Sequence, residues 1–269
     1  MSADLFSLKG KIALITGATN GIGKGMAIGL AEANIDQIIV VHRPKTDPKA
    51  TVELLVKSSP RPDDIVVSTI ECDLSIDTLK IEEIEEKIVQ KAINLSRSNK
   101  IDILINNAGI SHRSGFLDYP DHKFDNVFFV NFRVPAKLTQ LVGKHMIDNK
   151  VRGKIIFTAS LTTYLGSYEN SVYSSTKSAL KGFILSISNE WASSGINVNG
   201  IAPGWIKTNM TDVLYNNSVE NKKRLDRIPA GRWGDPIDDF KGPIVFLSSD
   251  ASNYVSGEII VVDGGYLGF

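Results

Sequence analysis

Seven short runs of β-branched and aliphatic residues recur along this chain, each followed by a longer stretch of helical period. They are KIALITG (11–17), QIIVVH (37–42), DIVVSTIECDL (64–74), IDILINNAG (101–109), GKIIFTAS (153–160), INVNGIAPG (196–204) and EIIVVDGG (258–265). A strand with one wet face alternates apolar and polar residues; these runs are nearly continuous, so both of their faces must be covered. Strands that alternate with helices then give a parallel sheet, because a parallel pair needs a long crossover, and the crossovers lie on the two faces. The expectation is a single doubly wound, Rossmann-type α/β domain of about seven strands over residues 1–269. No internal repeat, low-complexity tract or interdomain linker breaks the pattern.

Totals narrow the ligand class. Thirty basic residues balance thirty acidic ones, so no excess charge points to nucleic acid or an anionic membrane. The start, MSADLFSLKGK, carries acids and lysines where a leader needs an apolar run, and no stretch approaches the roughly 18 apolar residues of a membrane span. A cytoplasmic protein acting on small molecules is expected. One cysteine, Cys72, excludes an internal disulfide, and His42, His112, His122 and His145 lack metal-ligand spacing, so no metal site is expected. The Pro-flanked segment 43–64 and the acidic IEEIEEK (81–87) read as periphery, the latter as the solvated face of a helix.

The first strand runs into TGATNGIGKGM, with Gly17, Gly21 and Gly23 between strand and helix. Glycines there allow a tight turn whose amides reach a pyrophosphate, and the helix N-terminus adds partial positive charge. The spacing is G-x-x-x-G-x-G, and the Lys-Ser/Thr ending of a triphosphatase loop is absent. After the second strand, where an acid would accept from the ribose 2′-hydroxyl of NAD, the chain has His42 and Arg43. Arginine there suits a 2′-phosphate, so NADP(H) is expected, with NAD(H) as the alternative.

A Tyr-x-x-x-Lys pair, whose ends share one face if it is helical, occurs twice: YPDHK (119–123) and YSSTK (173–177). Pro120 disfavours helical geometry at Tyr119, so the first copy marks a helix start with its tyrosine outside. Tyr173 leads into a helical apolar stripe at 179, 180, 183, 184 and 187, so it and Lys177 can face one way. A nearby ammonium would lower a phenol pKa toward the working range of a general acid/base. Thirteen residues earlier Ser160 ends the fifth strand, at the sheet edge where α/β sites form. Asn131, amid Phe129, Val130 and Phe132, needs a partner if buried.

Taken in order, TGATNGIG, NNAG (106–109), Asn131, Ser160, YSSTK and PGWIKT (203–208) closely resemble the short-chain dehydrogenase/reductase family over nearly the whole chain. The resemblance implies Tyr173 as acid/base, Lys177 lowering its pKa and holding the nicotinamide ribose, Ser160 positioning the substrate oxygen, and Asn131 supporting a proton relay through water. It also implies a cofactor cleft formed by Gly17, Thr19, Asn20, Gly21, Ile22, Gly23, His42 and Arg43, with Asp73 and Leu74 at the adenine. Asn107, Ala108 and Gly109 would line its middle, and Pro203, Gly204, Ile206 and Thr208 its nicotinamide end. A homotetramer is implied as well, and a small substrate lid around 208–233.

Within the family, FSLKGKIALITG (6–17) and the stretch from Leu225 to Leu267 look like the gluconate and 2-deoxy-D-gluconate 3-dehydrogenase branch. That suggests interconversion of a secondary alcohol and a ketone on a sugar acid, polyol or sugar-like substrate. A sugar acid needs a cation; the loop 161–172 offers only Glu169, and Arg113 in GISHRSGF is the better candidate. Two alternatives remain: a broad-specificity carbonyl reductase of neutral ketones, and a non-catalytic dinucleotide-sensing binding protein.

Overall fold

A computed structural model of the protein describes residues 5–268, so the first four residues of the polar start and the last residue of the chain lie outside the described part. Seven parallel strands form one sheet: β1 (Ile12–Thr16), β2 (Gln37–His42), β3 (Val66–Glu71), β4 (Ile103–Asn106), β5 (Lys154–Thr158), β6 (Asn197–Pro203) and β7 (Ile259–Val262), in the order β3-β2-β1-β4-β5-β6-β7. The helices are α1 (Gly21–Glu32), α2 (Lys49–Ser58), α3 (Lys91–Leu95), α4 (Asp121–Phe128), α5 (Val134–Asp148), α6 (Ser171–Trp191), α7 (Asp212–Asn216), α8 (Ser218–Leu225) and α9 (Asp238–Ser248). Among the described residues no helix is long and apolar enough to cross a membrane.

The period of two sorts each strand between two cores. Leu14, Ile39, Leu104, Ile155 and Val198 point to one side, against Leu138 and Val142 of α5 and Leu180 and Ile184 of α6. Their neighbours Ala13, Ile15, Ile38, Val40, Ile103, Ile105 and Ile156 point to the other, against Met26 and Leu30 of α1 and Phe240, Ile244 and Leu247 of α9. Each aliphatic side chain so buried is worth about 1.5–3 kcal/mol, which is why runs with no polar face form the central strands. Edge position explains the exception: β3 pairs only with β2, and its Ser68, Thr69 and Glu71 are partly or fully open. On the second face α1 and α9 approach backbone to backbone. A Cβ at Gly25 would lie 2.1 Å from the Pro236 carbonyl oxygen, so only glycine fits.

Two stretches are wound differently from what their sequence pattern specifies. The acidic segment forms a 3-10 turn (Ile81–Glu83) and then a π turn (Glu85–Gln90), burying Ile84 and Ile88 while Glu82, Glu85 and Glu86 stay in solvent. A second π turn, Phe129–Arg133, joins α4 to α5 and carries Asn131. Apolar spacings of three and four fit an α or a π turn about equally, so periodicity does not separate them.

Candidate active site

The strand order reverses between β1 and β4, and there, beyond the carboxyl ends of the strands, a cleft of about 440 Å³ opens. Every residue read above as a cofactor contact lines it, from Gly17 and Thr19 through Arg43, Asp73 and Asn107 to Pro203, Gly204, Ile206 and Thr208. Thr16, Asn107 and Thr158 fix its floor. The Asn107 amide donates to the carbonyls of Thr16 and Gly17, both at 3.0 Å, and its oxygen accepts from Thr158 Oγ1 at 3.1 Å. Thr16 Oγ1 in turn accepts the backbone N–H groups of Asn107 (3.1 Å) and Ala108 (3.0 Å). One side-chain amide thus ties the ends of β1, β4 and β5 together.

Against that amide sits the start of α1. Gly17 turns the chain at φ 71°, and a Cβ on Gly23 would lie 2.3 Å from Asn107 Nδ2 and 2.4 Å from the Gly17 oxygen. Asn20 occupies the N-cap without a side-chain capping bond, and the first turn holds no acid, so the amides there face the cleft uncapped. That arrangement fits the diphosphate of a dinucleotide. At the far end Arg43 is exposed, with no ion pair among the described residues, whereas the adjacent His42 is buried and its Nδ1 lies 3.0 Å from the Arg43 carbonyl. The lone acid in the lining is Asp73, whose carboxylate accepts the Ser75 N–H at 3.0 Å.

At the opposite end α6 carries Tyr173 and Lys177 one turn apart, both lining the cleft. Lys177 is buried and donates to the Thr158 carbonyl at 2.6 Å; its Nζ stands 5.7 Å from the Tyr173 ring centroid. Ser160 starts a 3-10 turn (Leu161–Thr163), and its Oγ accepts the Thr162 N–H at 3.2 Å. Thr163 Oγ1 donates to the Lys177 carbonyl and Ser178 Oγ to the Thr162 carbonyl, each at 3.1 Å, so the loop after β5 is clamped onto α6. Ser160, Tyr173 and Lys177 therefore stand on two mutually braced elements.

Asn131, 1% exposed, lies behind them rather than in the lining. Its oxygen accepts the Ile110 N–H (2.9 Å), and its amide donates to the Ile110 carbonyl (2.9 Å) and to Thr176 Oγ1 (3.2 Å). Thr176 Oγ1 donates to the Tyr173 carbonyl at 2.7 Å, which links Asn131 to α6. Sequence reasoning missed Thr176 and Thr158; the signal for Thr176 was its place inside YSSTK, three residues after the tyrosine.

Burial pushes the Tyr173 phenol up, outweighing the Ser160 hydroxyl and the Arg113 charge, which pull it down. Burial also pushes Lys177 down to about 8.

The competing pair behaves as Pro120 dictates. Tyr119 lies outside α4, packs against Val127 and Val172, and donates to the His112 carbonyl at 3.3 Å; Lys123 is exposed and neither residue reaches the cleft. Arg113 also lies outside the lining, on the loop after β4, and donates to the Tyr168 carbonyl at 3.3 Å. Its charge nevertheless reaches Tyr173. Burial first, and then the charge of Arg224, lower the Arg113 pKa, while Glu169, Glu220 and Tyr173 oppose them.

Segment 208–233 packs beside Trp205. Trp205, next to the cleft-lining Gly204, stacks edge-on with Trp233 (centroids 5.6 Å apart) and Tyr266 (6.4 Å), and Trp233 Nε1 donates to Asn221 Oδ1 at 2.9 Å.

Known proteins share this architecture and sequence. Residues 11–218 match the family profile described as short chain dehydrogenase. The chain is 44% identical over 265 residues to a 2-dehydro-3-deoxy-D-gluconate 5-dehydrogenase of Pseudoalteromonas atlantica, covering 98% of each chain. It is 43% identical over 264 residues to the enzyme of that name from Bacillus subtilis, covering 98% of this chain and 97% of the relative. Among solved structures, a gluconate 5-dehydrogenase from Burkholderia cenocepacia in complex with NADP and tartrate superposes with a TM-score of 0.88 at 30% identity, over 100% of both chains. With a matching profile over most of its length and full-length relatives above 40% identity, the chain belongs to the short-chain dehydrogenase/reductase family of NAD(P)-dependent oxidoreductases acting on CH–OH groups.

Proposed function

We propose that this protein is an NADP(H)-dependent dehydrogenase that interconverts a secondary alcohol and a ketone on a sugar acid. The observation that carries the reading is the convergence of Ser160, Tyr173 and Lys177 on one end of a cleft whose other end presents the unpaired Arg43. Nicotinamide dinucleotide bound there supplies reversible hydride transfer at carbon. Arg43, with no carboxylate partner among the described residues, suits a ribose 2′-phosphate, and the B. cenocepacia neighbour was crystallised with NADP.

Ser160 holds the substrate oxygen, and the Tyr173 phenol, kept protonated by burial, donates to it in the reducing direction and recovers the proton in the oxidising one. Lys177 anchors the nicotinamide ribose from the Thr158 carbonyl. With both of its amide hydrogens given to Ile110 and Thr176, Asn131 supports the proton relay by holding α6 and the loop after β4 in register. Arg113 meets the substrate carboxylate. The names of the relatives and the tartrate in the neighbour, a hydroxy dicarboxylate, support an acidic substrate.

We read the chain as one cytoplasmic domain over residues 1–269 whose lid is 208–233, assembled as a homotetramer through α6 and β7. Apolar side chains left open on helices, Leu185 at 45% and Phe124 at 37%, support assembly. Light scattering tests it, and a monomer would count against it.

The decisive experiment follows reduced-cofactor absorbance with NADP and NAD against sugar acids, neutral polyols and simple ketones, in wild type and Tyr173→Phe. Turnover of acids with NADP, lost by at least about 100-fold in the variant while cofactor still binds, is expected. Near-wild-type turnover by Tyr173→Phe would falsify the assignment, and activity confined to neutral ketones would make the protein a carbonyl reductase.

A further inference from the structure

Arg113 is not the only guanidinium on the substrate side. Arg224, near the end of α8, lies with its Cζ 4.4 Å over the Trp205 ring, one residue from the cleft lining at Gly204. Its Nη1 is held by the Glu220 carbonyl and Glu220 Oε2, both at 2.7 Å. Its Nε, and the Nε1 of the Trp205 beneath it, are buried with no hydrogen-bond partner. A buried N–H without an acceptor costs about 1–3 kcal/mol, so each of the two calls for an acceptor. The guanidinium also stands near enough to Arg113 for the two charges to oppose each other, and Arg113 in turn is felt by Tyr173. Glu169 and Glu220 stand in the same group and oppose the two arginine charges, so a substrate carboxylate would compete with these acids for the guanidinium forks.

We propose that Arg224 is a specificity-determining residue that closes with Arg113 on the carboxylate of the substrate, so that the lid itself reads the acid. The proposal rests on the sugar-acid reading above and adds to it a second cation, supplied by α8. Glu220 is the internal rival for Arg224. Because Glu220 Oε1 also holds Lys223 Nζ at 2.9 Å, it keeps a partner when Arg224 turns part of its fork to the substrate.

The test compares Arg224→Met and Glu220→Gln with wild type, using D-gluconate and 2-dehydro-3-deoxy-D-gluconate against sorbitol and xylitol, with calorimetric binding of tartrate alongside. Methionine keeps an apolar stem on Trp205 and removes the charge. Arg224→Met should raise KM for the preferred acid and weaken tartrate binding by about 10-fold or more, with a smaller effect on kcat, narrowing the ratio of acid to polyol turnover by a like factor. Glu220→Gln removes the competing charge and should lower or hold that KM. If Glu220→Gln instead shares the losses of Arg224→Met, on acids and polyols alike, the pair is only a latch for the lid and the proposal is overturned. Undiminished acid preference in Arg224→Met overturns the role of Arg224 alone, whereas a wild type that turns over only polyols overturns the sugar-acid reading with it.

Discussion

Replacing Gly23 by alanine tests the construction of the cofactor end in one step. The new Cβ would meet Asn107 Nδ2 at 2.3 Å and the Gly17 oxygen at 2.4 Å, each about 1 Å inside ordinary contact at 3.4 Å. Turning Asn107 away forfeits its bonds to Thr16, Gly17 and Thr158, about 1 kcal/mol each, and leaves the clash with Gly17 untouched. Lifting the start of α1 relieves both contacts at an overpacking cost of about 1–3 kcal/mol, so the helix moves. At roughly 2–4 °C per kcal/mol for a chain of this size, Tm falls by about 2–12 °C. The same shift withdraws the uncapped amides from the diphosphate, and one lost charge-assisted hydrogen bond weakens NADPH binding by about 10-fold or more. Differential scanning fluorimetry and calorimetric titration read the two effects. Adding Asn107→Ala removes one of the two clashing partners, so the double variant should lose less than the sum of the single losses. A Gly23→Ala protein with wild-type Tm and NADPH affinity, or a double variant whose losses simply add, would refute the reasoning.

Other outcomes follow from the same geometry. Arg43→Gln should cut kcat/KM for NADP by about 10- to 100-fold and change that for NAD much less, since a single charge-assisted contact to the 2′-phosphate is removed; steady-state kinetics with both cofactors decides. Thr176→Val, nearly isosteric at a fully buried position, strands an Asn131 amide hydrogen, and should cost about 1–3 kcal/mol in chemical denaturation with a fall in kcat larger than any change in KM. Lys177 has a folded pKa of about 8, pushed down from 10.5 by burial. Below pH 8 both folded and unfolded chains carry that proton; between about 8 and 10.5 only the unfolded chain does, so this group makes stability rise with pH across the window, by up to about 3 kcal/mol. Relative to Lys177→Met, wild type should therefore gain stability from pH 7.5 to 9.5 in urea titrations, and parallel curves would rule the burial argument out.

Much of the architecture was legible because it rests on local rules. Uninterrupted apolar runs such as IALIT can exist only between two covered faces, and Pro120 together with the helical apolar stripe after Tyr173 separates the idle Tyr119 from Tyr173. Gly17 and Gly23 announce the turn because no other residue tolerates that conformation or that approach. What stayed hidden depends on distant partners or on titration order. The π turn at Phe129–Arg133 shares its apolar pattern with an α-helix. The raised Tyr173 pKa follows from desolvation where the half-buried phenol meets the cleft wall, which spacing does not report. Arg224 reads in the sequence as one more base in NKKRLDR, and only the folding of α8 over Trp205 sets it apart.

The stacking on Trp205 also gives the protein a built-in optical gauge. Of the three tryptophans, Trp205 and Trp233 face each other at 5.6 Å with the Arg224 guanidinium on the first, while the third, Trp191, fills the gap left by Gly143 on the far side of the core. A cationic group over an indole and the polarity around it govern how strongly, and at what wavelength, that indole emits. Any movement of segment 208–233 would therefore change the emission of two fluorophores relative to that of the third. Stopped-flow fluorescence on the native chain, without any attached label, would report whether segment 208–233 moves on ligand binding, separately from the arrival of hydride at carbon.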